Sequence, residues 1–120
     1  MEKKKVLIVD DDNRNVFAMT ATLKRHGFEC VAASSVEQCF KILKEEDIDC
    51  VLMDMMLPEI DGYEAISRIK KDPDFRKLPV IAVTARAMQD DKELCIKAGA
   101  DAYVPKPVDI DILLHELNKL

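Results

Sequence analysis

No apolar stretch in this 120-residue chain nears the roughly 20 residues that a membrane-spanning helix requires. The opening, Met1-Glu2-Lys3-Lys4-Lys5 followed by four apolar residues, is basic but lacks the long apolar core of a secretory signal, so the chain is expected to stay in the cytoplasm. No two of the four cysteines (Cys30, Cys39, Cys50, Cys95) have C-x-x-C spacing, and three lie inside apolar runs. Buried thiols in a reducing compartment are therefore expected, without disulfides or zinc. A basic excess is missing too. With net charge -5 and pI near 5.0, the chain lacks the electrostatic footprint of direct nucleic-acid binding. Linkers, internal repeats and low-complexity stretches are absent, and 48% hydrophobic with 34% charged residues gives no reason to invoke disorder. What remains is one domain spanning residues 1–120, of 13.6 kDa, long enough to bury about two-thirds of its unfolded surface.

Five short apolar runs, several rich in valine and isoleucine, read as strands: KVLIV (5–9), ECVAA (29–33), DCVLM (49–53), PVIAV (79–83) and DAYV (101–104). Helical spacing fills the intervals, with Val16, Met19, Thr20 and Leu23 in the first, then Val36, Cys39, Phe40 and Leu43, then Ile66 and Ile69. Leu94, Cys95 and Ala98 follow, and Leu113, Leu114 and Leu117 close the series. Gly27 and Gly99 sit where the first and fourth helices should stop. Ser35 with Gln38 resembles a capping box, and Asp109 as N-cap would make Val108 and Leu113 a hydrophobic staple.

Strands buried on both faces, each followed by a helix, predict a doubly wound α/β domain: five parallel strands with right-handed crossovers and five helices. Pro105 ends the fifth run and cannot donate to a ladder, which favours an edge position. Strand order 2-1-3-4-5 satisfies that preference.

Ligands of such sheets bind beyond the carboxyl ends of the strands. There the first run delivers Asp10, Asp11 and Asp12, the third Asp54, the fourth Thr84 and Ala85, and the fifth Pro105, Lys106 and Pro107. Taken singly, an acidic run is usually a solvated loop, a threonine a helix cap and a lysine a surface charge. Asp54 is harder to set aside, because it follows an apolar run directly with no basic neighbour in sequence. Two carboxylates about 4 Å apart repel by roughly 4 kcal/mol at an effective dielectric of 20, so the group calls for a cation. Hard oxygen donors suit Mg²⁺, with Mn²⁺ as an alternative ion. A metal beside Asp54, with Thr84 and Lys106 opposite, describes phosphoryl transfer to a carboxylate nucleophile.

Four stretches, VLIVDDD, VLMDMMLPEIDG, VIAVTA and AGADAYVPKP, carry a resemblance to the response-regulator receiver domain, the phosphoacceptor module of two-component signalling. The resemblance covers essentially the whole chain and implies the flavodoxin-like form of the doubly wound fold, with strand order 2-1-3-4-5. DDDNRNVFAM, MDMMLPEIDGYEAI and CIKAGADAYVPKPVD resemble most the receivers of hybrid histidine kinases.

The resemblance implies that Asp54 is the phosphoacceptor and that Mg²⁺ is held by Asp11, Asp54 and the backbone carbonyl of Met56, with Asp10 acting through water. It gives Thr84, Lys106 and the N–H groups of Met55 and Ala85 to the phosphoryl oxygens. Small Ala85 would leave room for the group, Pro58 and Gly62 would shape the loop, and the Lys106-Pro107 bond would be cis. Thr84 and Tyr103 correspond to the family's switch pair, which alters the face formed by helix 4, strand 5 and helix 5; Tyr103 is equally well accounted for as a core aromatic. Met56 and Arg86 occupy the positions that tune hydrolysis. Methionine cannot hold an attacking water, so a long-lived phosphoryl group is expected. Asp12 is left without a role.

The implied partners are a sensor histidine kinase or a histidine phosphotransfer protein, and a downstream target or attached domain. Neither a membrane nor nucleic acid is expected as a partner, and receivers often pair through their last helices. Such a domain is not a conventional enzyme, although it catalyses its own phosphorylation and slow dephosphorylation. One alternative is a hydrolase of the haloacid-dehalogenase type, but it needs a second acid where Met56 stands. A flavodoxin lacks support because no Ser/Thr/Gly-rich loop follows the first run. A pseudo-receiver acting only as an interaction module is disfavoured, because all the required residues are present.

Overall fold

The β-branched runs become strands β1 (Lys5–Val9), β2 (Glu29–Ala33), β3 (Cys50–Asp54), β4 (Val80–Thr84) and β5 (Ala102–Pro105). Helices α1 (Asn13–Arg25), α2 (Val36–Glu45), α3 (Gly62–Lys71), α4 (Gln89–Ala98) and α5 (Ile110–Asn118) alternate with them. The structure, a computed structural model, describes residues 3–56, 62–84 and 89–119. All pairings are parallel and the order is β2-β1-β3-β4-β5, as the doubly wound reading requires. Pro105 lies on an edge strand, where its missing N–H costs no ladder bond.

Side chains alternate across the sheet, so the fully buried β3 and β4 feed two cores at once. Val6, Ile8, Cys50, Leu52, Ile81, Val83 and Val104 pack beneath Leu23 of α1 and Leu113 and Leu117 of α5. Leu7, Val9, Val51, Met53, Val80 and Ala82 pack on the other face, beneath Val36, Cys39 and Leu43 of α2, Ala65, Ile66 and Ile69 of α3, and Cys95 of α4.

Both glycine stops hold: Gly27 and Gly99 take φ of +89° and +114°. Asp109 caps α5, and Val108 and Leu113 pack in one core as the staple predicts. The α2 cap differs in part. Ser35 accepts from the Gln38 N–H as expected, but the Gln38 side chain reaches past Ser35 to accept from the N–H of Ser34 at 2.8 Å.

Three strands run one residue further than their apolar runs, because the ladder continues past them: Lys106 N–H still donates to the Thr84 carbonyl at 2.7 Å. Leu94 is a second correction. It was expected on the covered side of α4 but is 52% exposed, while Cys95 beside it is buried. All four cysteines are free, and burial pushes Cys39 and Cys50 up to about 12, which keeps them protonated and unreactive. Among the described residues, no helix is long and apolar enough to cross a membrane.

Candidate functional site

The period-two alternation that builds the cores also sorts the polar residues at the sheet's carboxyl end. Asp10, Asp54 and Lys106 continue the register of Ile8, Leu52 and Val104 and so belong to the α1/α5 side. Thr84 and Tyr103 have the opposite parity, Thr84 following Ala82 and Tyr103 pairing with it, which puts them on the α4 side. The two sets meet only at the edge where the strands stop.

Asp10, Asp11 and Asp54 converge there, each offering a carboxylate oxygen, and these atoms lie within 4.8 Å of one another. Asp10 and Asp54 are buried, whereas Asp11 is exposed and opens the cluster to solvent. Burial, chiefly, holds the Asp10 carboxyl above its ordinary value; the Asp54 charge adds to the shift, and the Asp12 N–H and Lys106 oppose it. Lys106 Nζ reaches Asp54 Oδ1 at 3.2 Å, supplying the basic neighbour that the local sequence lacks. Three acids against one ammonium leave the cluster short of positive charge. An all-oxygen set with one exposed member suits a hard divalent cation that keeps part of its water.

Backbone groups fix the acids in place. Asp12 N–H donates to Asp10 Oδ1 at 2.9 Å, and Met56 N–H donates to Asp54 Oδ1 at 2.9 Å. Here the sequence reading needs correction: the Met55 N–H, assigned to a phosphoryl group, donates instead to the Val83 carbonyl at 2.9 Å. The β3–β4 ladder runs one rung past Asp54 and consumes it, so the N–H at the acid is that of Met56. Asp12, given no role from sequence, is the N-cap of α1, accepting from the Arg14 N–H. Its signal was present, an aspartate just ahead of the Val16–Met19 period.

Thr84 is fully buried at the end of β4, and its carbonyl holds the Lys106 N–H. The Lys106-Pro107 peptide bond is cis. Met56 projects outward, 46% exposed, and offers no second acid to a hydrolase. Tyr103 packs at the margin of the core under α4. Ala85, Arg86 and Pro58 lie outside the described residues. A cavity of about 270 Å³ adjoins the acids, running from Asp10, Asp54 and Lys106 beneath Met19 of α1 to Ile110 of α5.

Residues 6–118 match the family profile of the response regulator receiver domain. Protein PilH of Pseudomonas aeruginosa is 34% identical over 114 residues, covering 95% of this chain and 94% of its own. The polar-differentiation response regulator DivK of Brucella ovis is 36% identical over 115 residues, covering 96% and 94%. Among solved structures, the receiver domain of sensor histidine kinase PA1611 from Pseudomonas aeruginosa superposes with a TM-score of 0.87 at 32% identity, covering 98% of this chain and 96% of that one; it holds a magnesium ion in its active site cleft. The fold, the convergence of acids and the matched span agree, and the chain belongs to the response regulator receiver domain family.

Proposed function

We propose that Asp54 accepts a phosphoryl group from a phosphohistidine on a sensor histidine kinase or histidine phosphotransfer protein. The observation that carries this reading is the meeting of Asp10, Asp11 and Asp54 at one sheet edge, with Lys106 3.2 Å from Asp54. A carboxylate oxygen of Asp54 attacks phosphorus, the phosphorus–nitrogen bond of the donor breaks, and its electron pair leaves with the imidazole. The product on Asp54 is a mixed anhydride. Bound Mg²⁺ would neutralise the phosphoryl oxygens that develop charge in the transition state.

The chain's own groups divide the remaining work. Asp11, Asp54 and the Met56 carbonyl would hold the ion, with Asp10 through water. Lys106, Thr84 and the Met56 N–H would hold phosphoryl oxygens, the last replacing the Met55 N–H that the ladder consumes. Burial of Asp54 keeps water from competing for phosphorus. The phosphoryl group would then draw Thr84 toward it, and Tyr103 on the same side of the sheet would follow, altering the α4–β5–α5 face that a downstream partner reads.

Residues 1–120 would act as one receiver unit in the cytoplasm, where free thiols such as these four persist. Intact-mass measurement after incubation with acetyl phosphate and Mg²⁺ tests the assignment. One added phosphoryl mass is expected on the wild type and none on Asp54→Ala; equal labelling of the two would move the site elsewhere.

A further inference from the structure

Asp91, in the first turn of α4, is 5% exposed although no cation is paired with it among the described residues. An interior carboxylate is costly unless donors meet it. Here one is a phenol. Tyr63 of α3 donates its hydroxyl to Asp91 Oδ1, and Tyr103 of β5 lies near enough for the Asp91 charge to act on its phenol. Burial pushes the Tyr103 phenol up, and the Asp91 charge adds to the shift, as expected of a neutral hydroxyl beside an anion. Asp91 Oδ2 is buried with no hydrogen-bond partner among the described residues, so the carboxylate is held through Oδ1. One turn later, Cys95 packs into the core and fixes the same side of α4.

A single side chain thus ties α4 to α3, and α4 belongs to the face that signalling is to change. We propose that Asp91 is the positioning residue of the switch: by holding Tyr63 it fastens α4 to α3 in the unphosphorylated chain, and this fastening opens when Asp54 is phosphorylated. The proposal rests on the receiver reading above. A contact made in one state and lost in the other biases the equilibrium by the difference between them. The bond between α4 and α3 is strained or broken by any shift of α4, whichever way the Tyr103 ring turns.

The chain contains two tyrosines and no tryptophan, so its tyrosine emission comes from this cluster alone. A carboxylate acceptor quenches phenol emission. Asp91→Asn keeps the size of the side chain and removes the charge; Tyr63→Phe keeps the ring, removes one donor and leaves Tyr103 as the sole emitter. Both variants should take up phosphoryl mass from acetyl phosphate and Mg²⁺ about three- to tenfold faster than wild type, because the competent state is more populated. Emission should brighten in Asp91→Asn before labelling, and in wild type upon labelling. Brightening with unchanged labelling rates would reduce Asp91 to a packing tie and overturn the proposal, and unchanged emission in Asp91→Asn would show that the contact is not made. If Asp91→Asn does not fold, Tyr63→Phe decides by its labelling rate, and a rate equal to that of wild type overturns the proposal. A wild type that gains no mass refutes the phosphoacceptor reading itself, and the proposal with it, a result separate from any change in the tyrosine spectrum.

Discussion

Lys106 Nζ lies 3.2 Å from Asp54 Oδ1 although β4 separates the strands that lead to them. The reach is possible because the Lys106 N–H is the last donor to β4, bonded to the Thr84 carbonyl at 2.7 Å, which carries the lysine over the end of that strand. One ladder bond therefore helps decide where the ammonium sits. The same bond links Lys106 to Thr84, the residue at the junction between the acidic side of the sheet and the α4 side.

Replacing Lys106 with methionine keeps the stem and removes the charge. Asp54 would then face Asp10 and Asp11 with no compensating ammonium, and a destabilisation of about 1–2 kcal/mol is expected once solvent access to the lysine is allowed for. Labelling by acetyl phosphate should fall at least about tenfold, since a charge-assisted contact to the phosphoryl oxygens is lost. Urea denaturation and a time course of intact mass report the two effects separately. A variant labelled at the wild-type rate would remove Lys106 from the phosphoryl site.

Asp10 predicts the behaviour of the chain with pH when divalent ions are chelated. Burial, with the Asp54 charge adding to it, raises its folded value above that of the unfolded chain. The folded chain therefore binds this proton more tightly, and the stability it confers is complete below the ordinary carboxylate range and lost as pH rises through the raised value. Asp10→Asn removes that loss: it should be more stable than wild type at neutral pH and converge with it in acid. Mg²⁺ should stabilise wild type more than the variant, by mass action. Denaturation curves with chelator and with Mg²⁺ at two pH values check both signs.

Much of this arrangement was legible in the sequence because short apolar runs and strand-end acids are local patterns. The five strands and the acid cluster follow from them, and the strand order from Pro105, which favours an edge. What escaped was set by choices that periodicity does not make. Leu94 and Cys95 are adjacent and both fit the spacing to Ala98, so nothing local said which faces the core. The Met55 N–H was misassigned because its partner, the Val83 carbonyl, lies on another strand, and only the register of β3 on β4 reveals that the ladder consumes it. Asp91 was invisible for a different reason: an apolar count passes over a buried acid, and its partner Tyr63 comes from a distant segment.

Gly62 at the start of α3 is required by crowding, not by an unusual backbone angle. A Cβ there would lie 2.9 Å from Met55 Cα and 3.0 Å from Met55 Sδ and Cε. The side-chain atoms can yield, but the Cα is backbone directly after β3, next to Asp54. Gly62→Ala should therefore cost about 1–3 kcal/mol and also slow labelling, by displacing Met55 and the Met56 N–H behind it. Gly27→Ala is the control. A Cβ there meets nothing within 4 Å, but φ is +89°, so a loss of about 1 kcal/mol with unchanged labelling is expected.

Phe17 on α1 is 78% exposed beside the helix residues that roof the cavity leading to Asp54. An aromatic ring left in water at the rim of a reactive site is a candidate anchor for a protein donor. Phe17→Ala should slow phosphoryl transfer from a phosphorylated histidine phosphotransfer domain by about fivefold or more, the effect of losing a moderate anchor. Labelling by acetyl phosphate, which needs no docking surface, should be unaltered. Equal slowing with both donors would place the effect in the folding of α1.

The receiver reading makes the lifetime of the phosphoryl group turn on Met56. Its N–H is fixed on Asp54 Oδ1 at 2.9 Å, while its side chain stands 46% exposed at the mouth of the site. Hydrolysis needs a water placed in line with phosphorus, and a thioether is too weak an acceptor to hold one. An amide at this position has a donor and an acceptor to orient that water without disturbing the backbone bond. Met56→Asn should therefore release inorganic phosphate about tenfold faster, the lower end of what positioning a reactant contributes, with little change in labelling rate or stability. Phosphate release after removal of excess acetyl phosphate measures it. Release at the wild-type rate would mean that solvent access to phosphorus is controlled by residues other than Met56.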